Sequence, residues 1–199
     1  LRLYNPNGRG QLLIDGEDIM DIPLKKLRDS IGYVPQDNFL FSTSIYDNIA
    51  FNPYTTEMKY VRKAAQISQI DETIMEMEQE YNTMLGERGV NLSGGQKQRV
   101  SIARALVKNP SILILDDCLS AVDTNTEKEI LKKLRPFMDR RTCIIIAHRI
   151  STIQHADEII VLDRGRIIER GTHQELLDLK GYYYKLYNRQ LLEEAIESA

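Results

Sequence analysis

The sequence has 199 residues, 42% hydrophobic and 28% charged, with a formal net charge of −3. That is enough chain for one core with a satellite subdomain, in the ordinary range for a globular protein. The slightly acidic balance excludes a strongly basic nucleic-acid-binding surface, two cysteines exclude a disulfide scaffold, and the longest apolar runs, such as CIIIA at 143–147, are far below the roughly 18–20 residues of a membrane span.

In chain order, QLLIDG (11–16) predicts a short strand ending in an Asp-Gly turn. DIPLKKLRDS (21–30) places Pro23 at a helix start, where its missing N–H costs little. IGYVP (31–35) predicts a strand closed by Pro35 and followed by Gln36. Between 44 and 108 the β-rich runs vanish and Glu, Gln, Met and Lys dominate, a composition that favours helix. We read an inserted helical subdomain there, splitting an α/β core. SILIL (111–115), TCIIIA (142–147) and EIIVL (158–162) predict buried strands of a parallel sheet. DRGRIIERG (163–171) predicts a turn and an antiparallel return strand near the sheet edge. THQE is a capping box with Thr172 as N-cap and Glu175 three residues on. Gly181 ends that helix, and a last helix follows from Tyr182.

Chemistry concentrates in LSGGQKQRVSIARAL (92–106). Ser93 and two glycines precede a helix whose apolar positions fall at Val100, Ala103 and Val107, with Ile102 and Leu106 on an adjoining line. The glycines admit a bulky anion, and the first helical turn offers N–H groups at the positive end of the dipole. A glycine-rich loop that merely starts a helix is the common alternative for SGG alone. The whole string is more specific: it resembles the signature motif of ATP-binding cassette (ABC) ATPases.

The resemblance spans almost the whole chain. Gln36 is similar to the Q-loop glutamine, which in the family touches Mg²⁺ and the attacking water. TMLGERG (83–89) is similar to the loop that contacts the membrane domain in exporters. ILILDD (112–117) resembles the Walker B strand, with Asp116 as the Mg²⁺ carboxylate and Asp117 in the place of the catalytic acid. LSAVD (119–123) resembles the D-loop, with Ser120 and Asp123 at a dimer seam, and IIIAHRIST carries His148 in the place of the switch histidine. The resemblance thus implies catalytic roles for Asp117, His148 and Gln36, metal ligation by Asp116 and Gln36, and contact of Ser93, Gly94, Gly95 and Gln96 with ATP held by a partner. It also implies a P-loop NTPase (RecA-like) α/β fold with a mostly parallel sheet and a helical subdomain. The expected division is 1–43 and 109–181 for the core, 44–108 for the helical subdomain and 182–199 for a C-terminal helix.

Two departures stand out. The family's usual glutamate is Asp117 here, a side chain about 1–1.5 Å shorter, and a misplacement of about 1 Å can cost about 10²-fold in rate. The resemblance then implies a degenerate nucleotide site of the kind found in one half of heterodimeric exporters. Second, no G-x-x-x-x-G-K-[ST] loop occurs, which leads us to expect a sequence truncated at its N-terminus that binds ATP poorly by itself. The expected function is a Mg²⁺- and ATP-using nucleotide-binding domain of an exporter, at the cytoplasmic face of a membrane. Its expected partners are a second nucleotide-binding domain, in a heterodimer, and transmembrane domains, with no nucleic acid. The alternative is a non-hydrolytic half that completes its partner's site.

Overall fold

The computed structural model describes residues 1–6, 8–50, 56–89 and 91–197. They form two compact units, Leu1–Ile146 and Ala147–Ala199.

The first unit opens with a hairpin of β1 (Leu13–Ile14) and β2 (Glu17–Asp18), joined through Asp15 and Gly16 at φ 51° and 82°. Positive φ at both central residues is the type I′ pattern that Asp-Gly favours. Helix α1 (Leu24–Ser30) starts after Pro23 and runs directly into β3 (Ile31–Val34). β3 pairs in parallel with β4 (Ile112–Asp116), and β4 with β5 (Thr142–Ile146), so β4 is the central strand. Between β3 and β4 lie α2 (Ile45–Ala50), α3 (Met58–Ile67), α4 (Asp71–Met75), two short 3-10 turns and α5 (Gly94–Val107). Helix α6 (Thr124–Met138) links β4 to β5.

The strand period decides which layer each side chain joins. Val34, Leu113 and Leu115 face a core shared with α2, α3, α5 and α6. Ile112 and Ile114 point the other way, toward Ile19, Ile22, Leu27 and Ile31 around α1. Gly32 permits close packing of α5 on the sheet, since a Cβ there would stand 2.8 Å from the Ala105 carbonyl oxygen.

The expectation of a buried strand needs correction for β5. Cys143 and Ile145 are partly buried against the main core, whereas Ile144 and Ile146 are 49% and 51% exposed. An aliphatic run does not say how many faces of a strand are covered, and the described residues of this unit cover only one face of β5.

Away from the sheet, the helical segment is tied by one buried carboxylate. Asp71 accepts from Arg62 at 3.2 and 3.1 Å, from Gln66 at 3.3 Å and from the Tyr81 hydroxyl at 2.6 Å. Burial acts to raise its carboxyl, but these donors outweigh that and hold it below the usual range.

The second unit holds α7 (Ile150–Ile153), the antiparallel pair β6 (Ile159–Asp163) and β7 (Arg166–Gly171), α8 (His173–Leu179) and α9 (Tyr182–Glu197). The return strand is antiparallel as expected, though β6 and β7 form a two-stranded sheet of their own. β6 is also less buried than expected: Ile159 is buried, while Ile160 and Leu162 are exposed. The Thr172–Glu175 capping box starts α8. Ile150, Ile159, Leu176 and Tyr183 form this unit's own core.

Candidate functional site

β4 carries four aliphatic residues and ends on Asp116, so the carboxylate emerges where the strand leaves the core. The neighbouring β3 supplies Tyr33, whose hydroxyl donates to Asp116 Oδ2 at 3.2 Å. Desolvation, and then this donation, raise the Tyr33 phenol above its ordinary value, which keeps it a donor at neutral pH. Three residues after Tyr33, Gln36 Nε2 donates to Oδ2 of Asp117, the residue after Asp116, at 3.3 Å. Thus the last residue of β4 and the acid that follows it each receive a hydrogen bond from the β3 segment.

Asp117 adopts φ 45°, the left-handed region, and its N–H donates to the Ile146 carbonyl at 2.8 Å. That backbone shape costs a branched or long side chain about 1 kcal/mol, and Asp is among the residues that visit it most readily. The Asp117 carbonyl accepts from Ser120 Oγ at 3.0 Å.

The start of α5 lies beside this segment. Ser93 is the N-cap: its hydroxyl accepts from Gln96 N at 3.3 Å, and Gln96 Oε1 accepts from Ser93 N at 2.9 Å. The sequence signalled an exposed helix start, and the capping box uses one of its donors. The Ser93 hydroxyl proton and the Gly94 and Gly95 N–H groups remain suited to an anion. Gly95 has no room for a side chain, because a Cβ there would lie 2.8 Å from the Ala121 carbonyl oxygen. Asp123 caps α6, accepting from Thr126 N at 3.0 Å, a bond that holds its carboxyl below the usual range.

The structure therefore gathers Gln36, Asp116, Asp117 and Ser120 into one chain of contacts in the first unit, with Ser93, Gly94, Gly95 and Gln96 at the start of the helix that packs on Ala121. His148 belongs to the second unit and is exposed. Its backbone carbonyl accepts from Gln190 Nε2 at 2.7 Å, while Gln190 Oε1 accepts from Ile150 N at 2.9 Å, so α9 clamps the loop on which His148 stands.

Sequence reasoning missed Tyr33, Gln190 and Gln98, whose buried carboxamide bonds Ser120 and Ala121. Gln98 had a signal: it lies four residues before Ile102 on the line Ile102–Leu106, and a polar residue on an apolar line is a buried polar group. Tyr33 and Gln190 act across the fold, and no local pattern marks them.

The residues suit a magnesium ion accompanied by a polyphosphate. Mg²⁺ is commonly held by one or two oxygen donors plus substrate phosphates and waters. Asp116 supplies a carboxylate, and Gln36, which uses its nitrogen on Asp117, retains an amide oxygen. No group of three or more metal-ligating side chains occurs among the described residues.

Comparison with known proteins bears on the family and the fold. The profile described as "ABC transporter" matches residues 1–120. An uncharacterized ABC transporter ATP-binding protein of Bacillus subtilis (strain 168), YknU, is 53% identical over 189 residues, covering 95% of this chain and 32% of the relative. A probable multidrug resistance ABC transporter ATP-binding/permease protein of the same organism, YheI, is 49% identical over 197 residues, covering 99% of this chain and 34% of that protein. Among solved structures, a bacterial Atm1-family ABC exporter with ATP bound superposes with a TM-score of 0.86 at 47% identity, over 90% of this chain and 32% of that one. The chain spans about a third of the length of these relatives. With more than half of its residues matched by the family profile, and the α/β fold of an exporter's ATP-binding region, the chain belongs to the ABC transporter family.

Proposed function

We propose that this chain is the nucleotide-binding domain of an ABC exporter, binding Mg-ATP against a second such domain arranged head to tail and coupling its hydrolysis to transport. The observation that carries the reading is the double donation from the β3 segment, Tyr33 to Asp116 and Gln36 to Asp117, next to an intact LSGGQ helix start. Three chain segments far apart in sequence, 33–36, 93–96 and 116–117, supply groups for the chemistry that phosphoryl transfer needs, which is positioning and charge stabilisation.

In this reading Asp116 and Gln36 hold Mg²⁺, which when bound neutralises phosphate charge. Asp117 holds the attacking water through its carboxylate, with Gln36 fixing that carboxylate's orientation. His148 donates to a phosphate oxygen from a loop steadied by Gln190. Ser93, Gly94, Gly95 and Gln96 serve the nucleotide on the partner domain, with Ser93 donating the hydroxyl proton that its capping bond leaves available. Ser120 and Asp123 lie at the seam. Residues 1–43 and 109–181 act as the core, 44–108 as the helical subdomain and 182–199 as the terminal helix.

The exposed rings of Phe39 and Phe41, just before the helical segment, and the exposed Met84 within it offer apolar surface to transmembrane domains, which supports a position at the cytoplasmic face. No helix among the described residues is long and apolar enough to cross a membrane itself.

Asp117 favours a second reading of its own site: nucleotide is bound there and turned over slowly or not at all, while the partner's site does the work. Steady-state ATP hydrolysis by the full-length exporter, with and without Asp117→Glu, tests both. Hydrolysis that rises in the variant supports a weakened site in an ATPase; absence of hydrolysis in both proteins contradicts the reading.

A further inference from the structure

We propose that Gln98 is a positioning residue that locks the Leu119–Asp123 loop to the LSGGQ helix and so fixes the backbone of Asp117; this rests on the function proposed above.

Gln98 is only 4% exposed, and both ends of its carboxamide are used on that loop. Oε1 accepts from Ala121 N at 3.0 Å, and Nε2 donates to Ser120 Oγ at 3.3 Å. Ser120 Oγ in turn donates to the Asp117 carbonyl at 3.0 Å. The donors therefore point one way along the relay, from Gln98 through the serine hydroxyl to Asp117, an arrangement in which each bond polarises the next.

Packing reinforces the relay. A Cβ on Gly95 would stand 2.8 Å from the Ala121 carbonyl oxygen, and one on Gly94 3.6 Å from the Ala121 Cβ. The first turn of α5 and the loop thus touch through backbone, and Gln98, one turn further along α5, adds the directional bonds. A second anchor comes from the other side, where the Asp117 N–H donates to Ile146 at 2.8 Å. Both backbone polar groups of Asp117 are therefore engaged while its φ stands at 45°. A residue in that region persists because its surroundings over-determine it.

The chemical consequence is a mechanical link. The helix start that meets one nucleotide and the acid that faces another are joined, within a single chain, by one buried side chain. A buried glutamine retained only for stability would be replaceable by any variant that keeps the fold. One that positions Asp117 depends on the direction of its bonds.

Gln98→Glu separates the two. It preserves volume and the acceptor for Ala121 N, but a carboxylate only accepts, so the Ser120 hydroxyl turns to donate to it and no longer donates to the Asp117 carbonyl. In the full-length exporter we expect Gln98→Glu and Ser120→Ala each to lower kcat for Mg-ATP by about tenfold with KM within about twofold, since misplacement by a fraction of an ångström acts on the chemical step. The double variant should be no worse than either single one, because both cut the same relay. Amide hydrogen exchange over 117–123, measured without nucleotide, should quicken in Gln98→Leu. Unchanged kcat in both single variants, multiplicative losses in the double variant, or unchanged exchange in Gln98→Leu overturns the proposal. A wild-type exporter that hydrolyses no ATP refutes the function and with it the catalytic half of this inference, while the exchange result still decides the lock.

Discussion

Gln36 and Asp117 are 81 positions apart and meet through one hydrogen bond, Nε2 to Oδ2 at 3.3 Å. The contact joins the end of β3 to the end of β4 and orients the carboxylate of an acid whose backbone stands at φ 45°, a conformation that suits Asp better than Glu. Lengthening the side chain therefore has two effects of opposite value.

Asp117→Glu extends the carboxylate by about one methylene and should raise the hydrolysis rate at this site, by as much as about 10²-fold where a 1 Å misplacement is limiting. The same change puts a less tolerant residue at φ 45° and should lower stability by about 1 kcal/mol. Steady-state ATPase assays and chemical unfolding of the variant should show a faster, slightly less stable protein.

Arg104 ties the end of the LSGGQ helix to the segment after Gln36. Its guanidinium donates to the Asn48 carbonyl at 2.7 Å, to Asn48 Oδ1 at 2.7 Å and to the Phe39 carbonyl at 2.8 Å. Burial pushes it down to about 10, still charged at neutral pH. Arg104→Leu removes the guanidinium's donors from the Asn48 and Phe39 carbonyls, while Asn48 Oδ1 keeps the Phe41 N–H, and should cost about 2–3 kcal/mol. Arg104→Lys should recover only part of that, because a point charge cannot reproduce the fork. Urea titration of the three proteins gives the order.

Acid should loosen the helical segment through Asp71. Its folded carboxyl lies below the ordinary value, so its stabilising effect is complete above the unfolded value of about 4 and fades as pH falls toward the folded one. Asp71→Asn should flatten the fall of stability with pH in that acid window and lower stability at neutral pH. Equal acid sensitivity in both proteins would assign the effect to other carboxylates.

Gln190 clamps the His148 loop from α9 through bonds of 2.7 and 2.9 Å. Gln190→Leu should quicken amide exchange around 148–150 and lower kcat by several-fold, with the melting temperature moved by less than about 4 °C if the cost stays below about 1 kcal/mol.

What could be read in advance follows the range of each interaction. The Asp15-Gly16 turn, the Pro23 helix start and the THQE capping box are local, and each stands where the sequence places it. The five residues of β4 announce themselves by aliphatic runs, and the LSGGQ helix by its capping serine. Exposure was harder to read: Ile144 and Ile146 look like core, but what covers a strand face is decided by elements distant in sequence. The contacts around the candidate residues, Tyr33 to Asp116 in the first unit and Gln190 to the His148 loop in the second, join residues 83 and 42 positions apart. Such pairs leave no periodic trace. The left-handed backbone of Asp117 was also unforeseen, since an acid after a strand is compatible with several turns.

Photolabelling tests most directly whether this chain lends its helix start to a nucleotide held by another domain. The full-length exporter would be closed with an ATP analogue carrying a photoreactive γ-phosphate, irradiated, digested and mapped. Attachment within 92–98 of this chain, reduced when Ser93 is replaced by a bulky residue, is the predicted result. Efficient labelling of the partner's phosphate-binding residues with none at 92–98 would contradict it.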